Sequence, residues 1–85
     1  MEIVIIPLAQ KKLRQRGIPI EWVEETIRAS TQTVSGYGGR TVYQRLYEAA
    51  GKKNQLLRVV CESREGKQFV VTAYLTSEIQ RYWRT

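Results

Sequence analysis

The chain of 85 residues reads as one α+β domain, residues 1–85, with two N-terminal helices packed on one face of a mostly antiparallel β-sheet. Three observations predict this. Apolar residues recur at helical spacing only between residues 8 and 28. From residue 31 the period changes to two, in runs rich in Val, Tyr, Thr and Phe. The breaks between those runs are short enough for hairpins, so helices come early and strands late, the order of an α+β layer.

Residues 2–6, EIVII, read as a first strand that ends at Pro7. Residues 8–16, LAQKKLRQR, are strong helix formers with Leu8, Ala9 and Leu13 near helical spacing, and Gly17 stops them. Pro19 suits the first turn of a second helix. There Ile20, Val23 and Ile27 make one buried stripe, and Glu21, Glu24 and Glu25 sit early, where the helix dipole favours negative charge. TQTVSG, RTVYQRLYE, QLLRVVCES and KQFVVTAYL read as four strands. Ser35–Gly39, Gly51–Asn54 and Arg64–Lys67 break them, with GYGG and Glu65-Gly66 supplying the φ > 0 positions that turns require. TSEIQRYW reads as a short C-terminal helix with Thr76 or Ser77 as its N-cap. The order is β-α-α-β-β-β-β and a short helix.

Alternation gives each strand two faces. One collects Val42, Gln44 and Leu46, then Leu57, Val59 and Cys61, then Phe69, Val71, Ala73 and Leu75. It is apolar apart from Gln44 and is expected under the helices, against Leu13, Val23 and Ile27. The other collects Tyr43, Arg45 and Tyr47, then Leu56, Arg58, Val60 and Glu62, then Val70, Thr72 and Tyr74. It is half polar, basic and rich in Tyr.

Composition narrows the chemistry. All eight acidic residues are Glu, His and Asp are absent, and there is one Cys. A Ser-His-Asp triad, an aspartic dyad and a Cys/His zinc site are therefore excluded, and no metal or cofactor is expected. Cys61 alternates with Val59 and reads as a small buried hydrophobe; unpaired, with no export signal, it favours a reducing cytoplasm. No apolar run is long enough for a membrane helix, and membrane binding is not expected. Trp22 and Trp83 read as packing residues. GYGG lacks the Gly-Lys-Ser/Thr that follows in a phosphate loop.

Fourteen Lys and Arg against eight Glu give a net charge of +6, which attracts polyanions. Residues 8–17 hold Lys11, Lys12, Arg14 and Arg16 and no acid. This cluster reads either as the solvated side of a helix or as a phosphate-binding stripe. The Tyr/Arg sheet face likewise reads either as a solvated face of good cross-strand pairs or as a platform on which single-stranded RNA stacks its bases and pairs its phosphates.

The stretches QKKLRQRGIPIEWVEETI, LLRVVCES and VVTAYLTSEIQRYW together resemble a small bacterial domain family of unknown function. That family looks related to BrnT-type toxins of the RelE/ParE-like ribonuclease group. Arg16-Gly17-Ile18 and Thr72-Ala73-Tyr74 are the most specific parts, and the likeness covers nearly the whole chain. It implies two helices on an antiparallel sheet and metal-independent RNA cleavage by a cytoplasmic toxin, on or off the ribosome, held in check by a small antitoxin protein. Members commonly carry His-Ala at the start of the first helix, where this chain has Leu8 and Ala9.

The sheet face and the family likeness together give a candidate site. Arg58, Tyr74 and Arg45 are the catalytic candidates: the arginines around the phosphate, Tyr74 as acid or base. Lys12, Arg16 and Arg81 are RNA-binding candidates, with Tyr43 and Tyr47 as stacking groups. A catalytically inactive RNA-binding or protein-binding module of the same fold is the alternative.

Overall fold

Pro7 divides the first strand from the first helix because its ring fixes φ and it has no N–H to offer a strand ladder. The computed structural model describes residues 2–48 and 54–84. Its elements are β1 (Glu2–Ile5), α1 (Pro7–Arg16), α2 (Ile20–Arg28), β2 (Gln32–Ser35), a 3-10 turn (Tyr37–Gly39), β3 (Thr41–Tyr47), β4 (Gln55–Arg64), β5 (Lys67–Thr76) and α3 (Ile79–Tyr82). They lie close to the bounds the sequence predicts. The predicted break at Gly51–Asn54 lies, up to residue 53, outside the described residues.

Gly17 closes α1 with φ 65°, a left-handed conformation that disfavours other residues. Its N–H donates to Arg14 O at 3.2 Å and that of Ile18 to Leu13 O at 3.0 Å, the double bond of a Schellman cap. Ile18 and Leu13 are both buried in the core beside it. Pro19 has extended backbone and stands just before α2 rather than inside its first turn. Of the predicted stripe on α2, Val23 and Ile27 are buried, while Ile20 is 47% exposed at the outer end; Thr26 takes the inward position instead. The α3 segment also differs: neither Thr76 nor Ser77 is its N-cap residue, although Thr76 Oγ1 accepts a bond from the Glu78 N–H at 3.0 Å.

The five strands form one sheet in the order β1-β5-β4-β3-β2. β1 runs parallel to β5, and the other pairings are antiparallel. The β1-to-β2 connection carries both helices across one face, α1 over β5 and α2 over β3 and β4. Beneath them Leu57, Val59, Cys61, Val70 and Ala73 meet Ala9, Leu13, Val23 and Ile27, all at or near zero exposure. Each buried Leu, Val or Ile among them is worth roughly 1.5–3 kcal/mol.

The face assignment predicted for β3 is overturned. Tyr43 pairs with Val59 and Arg45 with Leu57, so Tyr43, Arg45 and Tyr47 lie on the helix side. Val42, Gln44 and Leu46 lie on the opposite face, with Arg58. The alternation of β3 is real, but both faces are covered and so polarity does not tell them apart. On the far face the C-terminal segment crosses the sheet, and Val42, Gln44 and Leu56 are buried there. β5 changes sides partway. Val60 pairs with Thr72 but Cys61 with Val70, so Val71 is the extra residue of a bulge. Val70 is thereby turned to the helix side and Phe69 to the far side, each the reverse of strict alternation.

Candidate functional site

Arg58 lies midway along β4, opposite Gln44 on β3 and Tyr74 on β5, on the face away from the helices. Its Nε–H donates to Gln44 Oε1 at 2.6 Å, and its Nη1 donates to the Tyr74 hydroxyl. The guanidinium lies 4.1 Å from the ring centroid of Tyr82 and 5.7 Å from that of Tyr74, within cation–π range. Of a guanidinium's five donors, those on Nη2 have no protein partner among the described residues. No carboxylate pairs with Arg58 there either: the described ion pairs belong to other cations.

Gln44 holds this arrangement. It is fully buried, and a buried amide is costly unless bonded. Its Nε2 donates to Gln32 Oε1 at 3.1 Å and to Tyr82 O at 3.3 Å, while its Oε1 receives Arg58. Gln32 in turn clasps the backbone of Arg84, accepting from its N–H at 3.0 Å and donating to its carbonyl. Two glutamines thus fix the C-terminal segment over the sheet and bring Tyr82 to Arg58.

Arg16 approaches from the other layer. β1 ends opposite Val70, which leaves the outer edge of β5 beyond it without a strand partner. Arg16 Nη1 fills part of that edge, donating to Ala73 O at 2.8 Å and Thr72 Oγ1 at 3.2 Å. Thr72 and Tyr74 are two apart on one strand and share a face, so Arg16 stands beside the Arg58 group. Lys12 lies one helical turn before it and, like Arg16, has no carboxylate partner among the described residues. Arg81 pairs with Glu78 at 3.2 Å and lies 5.3 Å from the Tyr82 ring, at the margin of the same group.

The structure does not bring Arg45, Tyr43 and Tyr47 to this site. Arg45 donates to Ala29 O at 2.7 Å and pairs with Glu25 at 3.3 Å, so it caps the end of α2. The Tyr47 ring stacks on Trp22 at 4.3 Å, with the planes 10° apart, and its hydroxyl donates toward Glu25 Oε1 at 2.8 Å. Tyr43 packs against the core, where burial, reinforced by the nearby Cys61 thiol, pushes its phenol up. Burial likewise raises Tyr47, and the Glu25 carboxylate adds to that, partly offset by Thr26 and Arg45. Arg45 and Tyr47 thus join helix to sheet, and Tyr43 is partly buried against the core on the same side.

Gln44, Gln32 and Tyr82 are members that sequence reasoning missed. One signal was available: Gln44 is the lone polar residue in an otherwise apolar alternating set. Among the described residues no group of three His, Cys, Asp or Glu could hold a metal ion, and no helix is long and apolar enough to cross a membrane. What remains is a fixed cation with open donors, a phenol and an aromatic ring on one sheet face. It can hold an anion, stack a planar group and deliver a proton from Tyr74.

A family described as "Domain of unknown function (DUF4258)" matches residues 9–75, a span that includes Arg16, Gln44, Arg58 and Tyr74. Arg81 and Tyr82 lie beyond it. No curated protein and no solved structure matches the chain.

Proposed function

The chain belongs to DUF4258, a family of domains of unknown function, and we propose that it is a toxin-type, metal-independent endoribonuclease that binds single-stranded RNA on the helix-free face of its sheet. The observation that carries this reading is Arg58, held by neutral partners with its Nη2 open beside the Tyr74 hydroxyl. An arginine kept for structure alone is usually matched to a carboxylate; one left uncompensated attracts phosphate. The net charge of +6 and the uncompensated Lys12 and Arg16 extend the attraction to a backbone rather than a single anion.

In the proposed reaction, Arg58 Nη2 donates to a non-bridging phosphate oxygen. The RNA's own 2′-oxygen attacks phosphorus as its proton passes to water, and the bond to the 5′-oxygen breaks. Tyr74, whose oxygen already accepts from Arg58, has its own O–H free to protonate the leaving 5′-oxygen; water then reprotonates it. The products are a 2′,3′-cyclic phosphate and a 5′-hydroxyl. Arg58 and Arg16 stabilise the charge that builds on the phosphorane-like transition state, the effect that lowers the barrier most in many enzymes. A small antitoxin that covers this face would hold the activity in check.

A second reading, binding without cleavage, is favoured by one observation. Leu8 is 58% exposed at the start of α1, where the resembling toxins carry His, and Tyr74 is the one hydroxyl bonded to Arg58 among the described residues. Incubation of the purified chain with single-stranded RNA in EDTA separates the two. Cleavage that falls by about 10²-fold or more in Arg58→Ala and Tyr74→Phe supports the nuclease. Salt-sensitive binding with no cleavage supports the binding module. Neither binding nor cleavage overturns both.

A further inference from the structure

At the end of the sheet beyond Arg58, the β2–β3 turn displays Tyr37 with 98% of its surface exposed. A whole aromatic ring in water is unusual for a residue that packs or pairs elsewhere. The turn that carries it is well defined. Gly36 N–H donates to Arg40 O at 2.6 Å, and a Cβ on Gly36 would meet Val42 Cγ2 at 3.0 Å, so the turn closes tightly there. Gly38 and Gly39, at φ 69° and 78°, turn the chain back with no side chain to shield the ring.

The surface beside the turn is basic and aromatic. Arg58, Val60, Glu62 and Arg64 alternate onto one face of β4, which puts Glu62 about 13 Å from Arg58 along the strand. Glu62 is shared by two guanidinium groups, Arg40 at 3.1 Å and Arg64 at 3.8 Å, so these three side chains together carry one net positive charge. Arg64 also lies 4.7 Å from the ring of Phe69. The helix-free face therefore has two cationic and aromatic clusters, one at Arg58 and one at Arg64 and Phe69, with Tyr37 on the turn at the same end of the sheet.

We propose that Tyr37, with Arg40 and Arg64, forms a second RNA contact, a stacking site for an unpaired base of the strand whose phosphate sits at Arg58. This second contact presupposes the RNA reading of the Arg58 site. It makes binding depend on strand length: a short fragment engages Arg58 alone, and a longer one reaches both clusters. Stacking on a tyrosine tolerates any base, so the contact adds affinity rather than sequence choice.

The test uses 2′-O-methyl RNA, which lacks the attacking hydroxyl, as a dinucleotide and as an oligomer of about eight nucleotides. Affinities are measured by fluorescence anisotropy for the wild-type chain, Tyr37→Ala, Tyr37→Phe and Arg58→Ala. The Tyr37 side chain is exposed to water and its backbone bond to the Arg40 N–H is kept on substitution, so its variants stay folded. The expected result is an oligomer Kd about tenfold weaker in Tyr37→Ala, unchanged in Tyr37→Phe, and a dinucleotide Kd unchanged in both. If Tyr37→Ala holds the oligomer as tightly as wild type while Arg58→Ala does not, the second contact is refuted and the Arg58 site survives. If the wild-type chain binds neither RNA, the RNA reading falls and the second contact with it.

Discussion

Gln44 Oε1 accepts the Arg58 Nε–H at 2.6 Å inside the sheet, and both residues face away from the helices. A neutral amide orients the guanidinium without cancelling its charge. A carboxylate at the same place would orient it equally well and cancel the charge. Gln44→Glu keeps the Arg58 bond but loses the Nε2 donations to Gln32 Oε1 and Tyr82 O, so it is expected to loosen the C-terminal segment and to weaken RNA binding by roughly tenfold, with the salt slope of log K falling by about 0.7. Gln44→Met leaves the Arg58 Nε–H and Tyr82 O without this partner and is expected to cost about 1–3 kcal/mol of stability. Salt titrations and thermal melts of the two variants check both. An unchanged salt slope in Gln44→Glu would show that Arg58 makes no phosphate contact.

Tyr47 serves the helix layer. Its hydroxyl contacts Glu25 Oε1 at 2.8 Å, Trp22 O at 3.2 Å and Thr26 Oγ1 at 3.3 Å. Tyr47→Phe keeps the Trp22 stack and removes these bonds. The expected cost is about 1–2 kcal/mol in urea unfolding, with RNA affinity unchanged. A loss of RNA affinity at constant stability would restore Tyr47 as a stacking group.

The elements were legible because each carries local chemistry: Pro7 before α1, the Gly17 cap, the Glu65-Gly66 turn. The helix-side core was legible through Leu13, Val23, Ile27, Leu57 and Val59, whose spacing alone places them. The face of β3 was not. It depends on whether Tyr43 meets Leu56 or Val59, a parity set by the connection between β3 and β4 rather than by either strand's alternation. Val71 was hidden for a similar reason: a bulge in a run of β-branched residues leaves no mark in composition. Arg58 bonds Tyr74, and Arg16 reaches Thr72 two residues before it on the same strand. Tyr82 was missed because only the Gln32 and Gln44 bonds, between residues distant in sequence, carry the C-terminal segment onto the sheet.

Cys61 makes the fold sensitive to alkali. Burial pushes its thiol up to about 12, from an ordinary value of 9.0. The folded chain therefore keeps the proton where the unfolded chain releases it. Stability is fully present below pH 9 and is lost as pH rises from there toward 12. The raised phenols of Tyr43 and Tyr47 act in the same direction above pH 10. Between pH 9 and pH 10 the expected loss is roughly 1 kcal/mol, and Cys61→Ala is expected to flatten it. Urea unfolding across that range checks this. An equally steep fall in Cys61→Ala would assign the alkaline loss to the phenols alone.

Glu65 is the one described non-glycine residue with positive φ, 51°, and Gly66 follows at 75°. Two positive φ values in a two-residue hairpin loop define a type I′ turn, which favours Asn or Gly at its first position. Glu has no short side chain with which to bond its own backbone there, so the left-handed conformation is costly for it. Glu65→Asn is expected to stabilise the chain by about 0.5–1 kcal/mol, a rise in Tm of several degrees at this size. Gly66→Ala imposes a Cβ at φ 75° and is expected to lower Tm. Thermal melts of the two variants give opposite signs if the turn is the one described. A Glu65→Asn variant no more stable than the wild-type chain would mean that the turn carries no such strain.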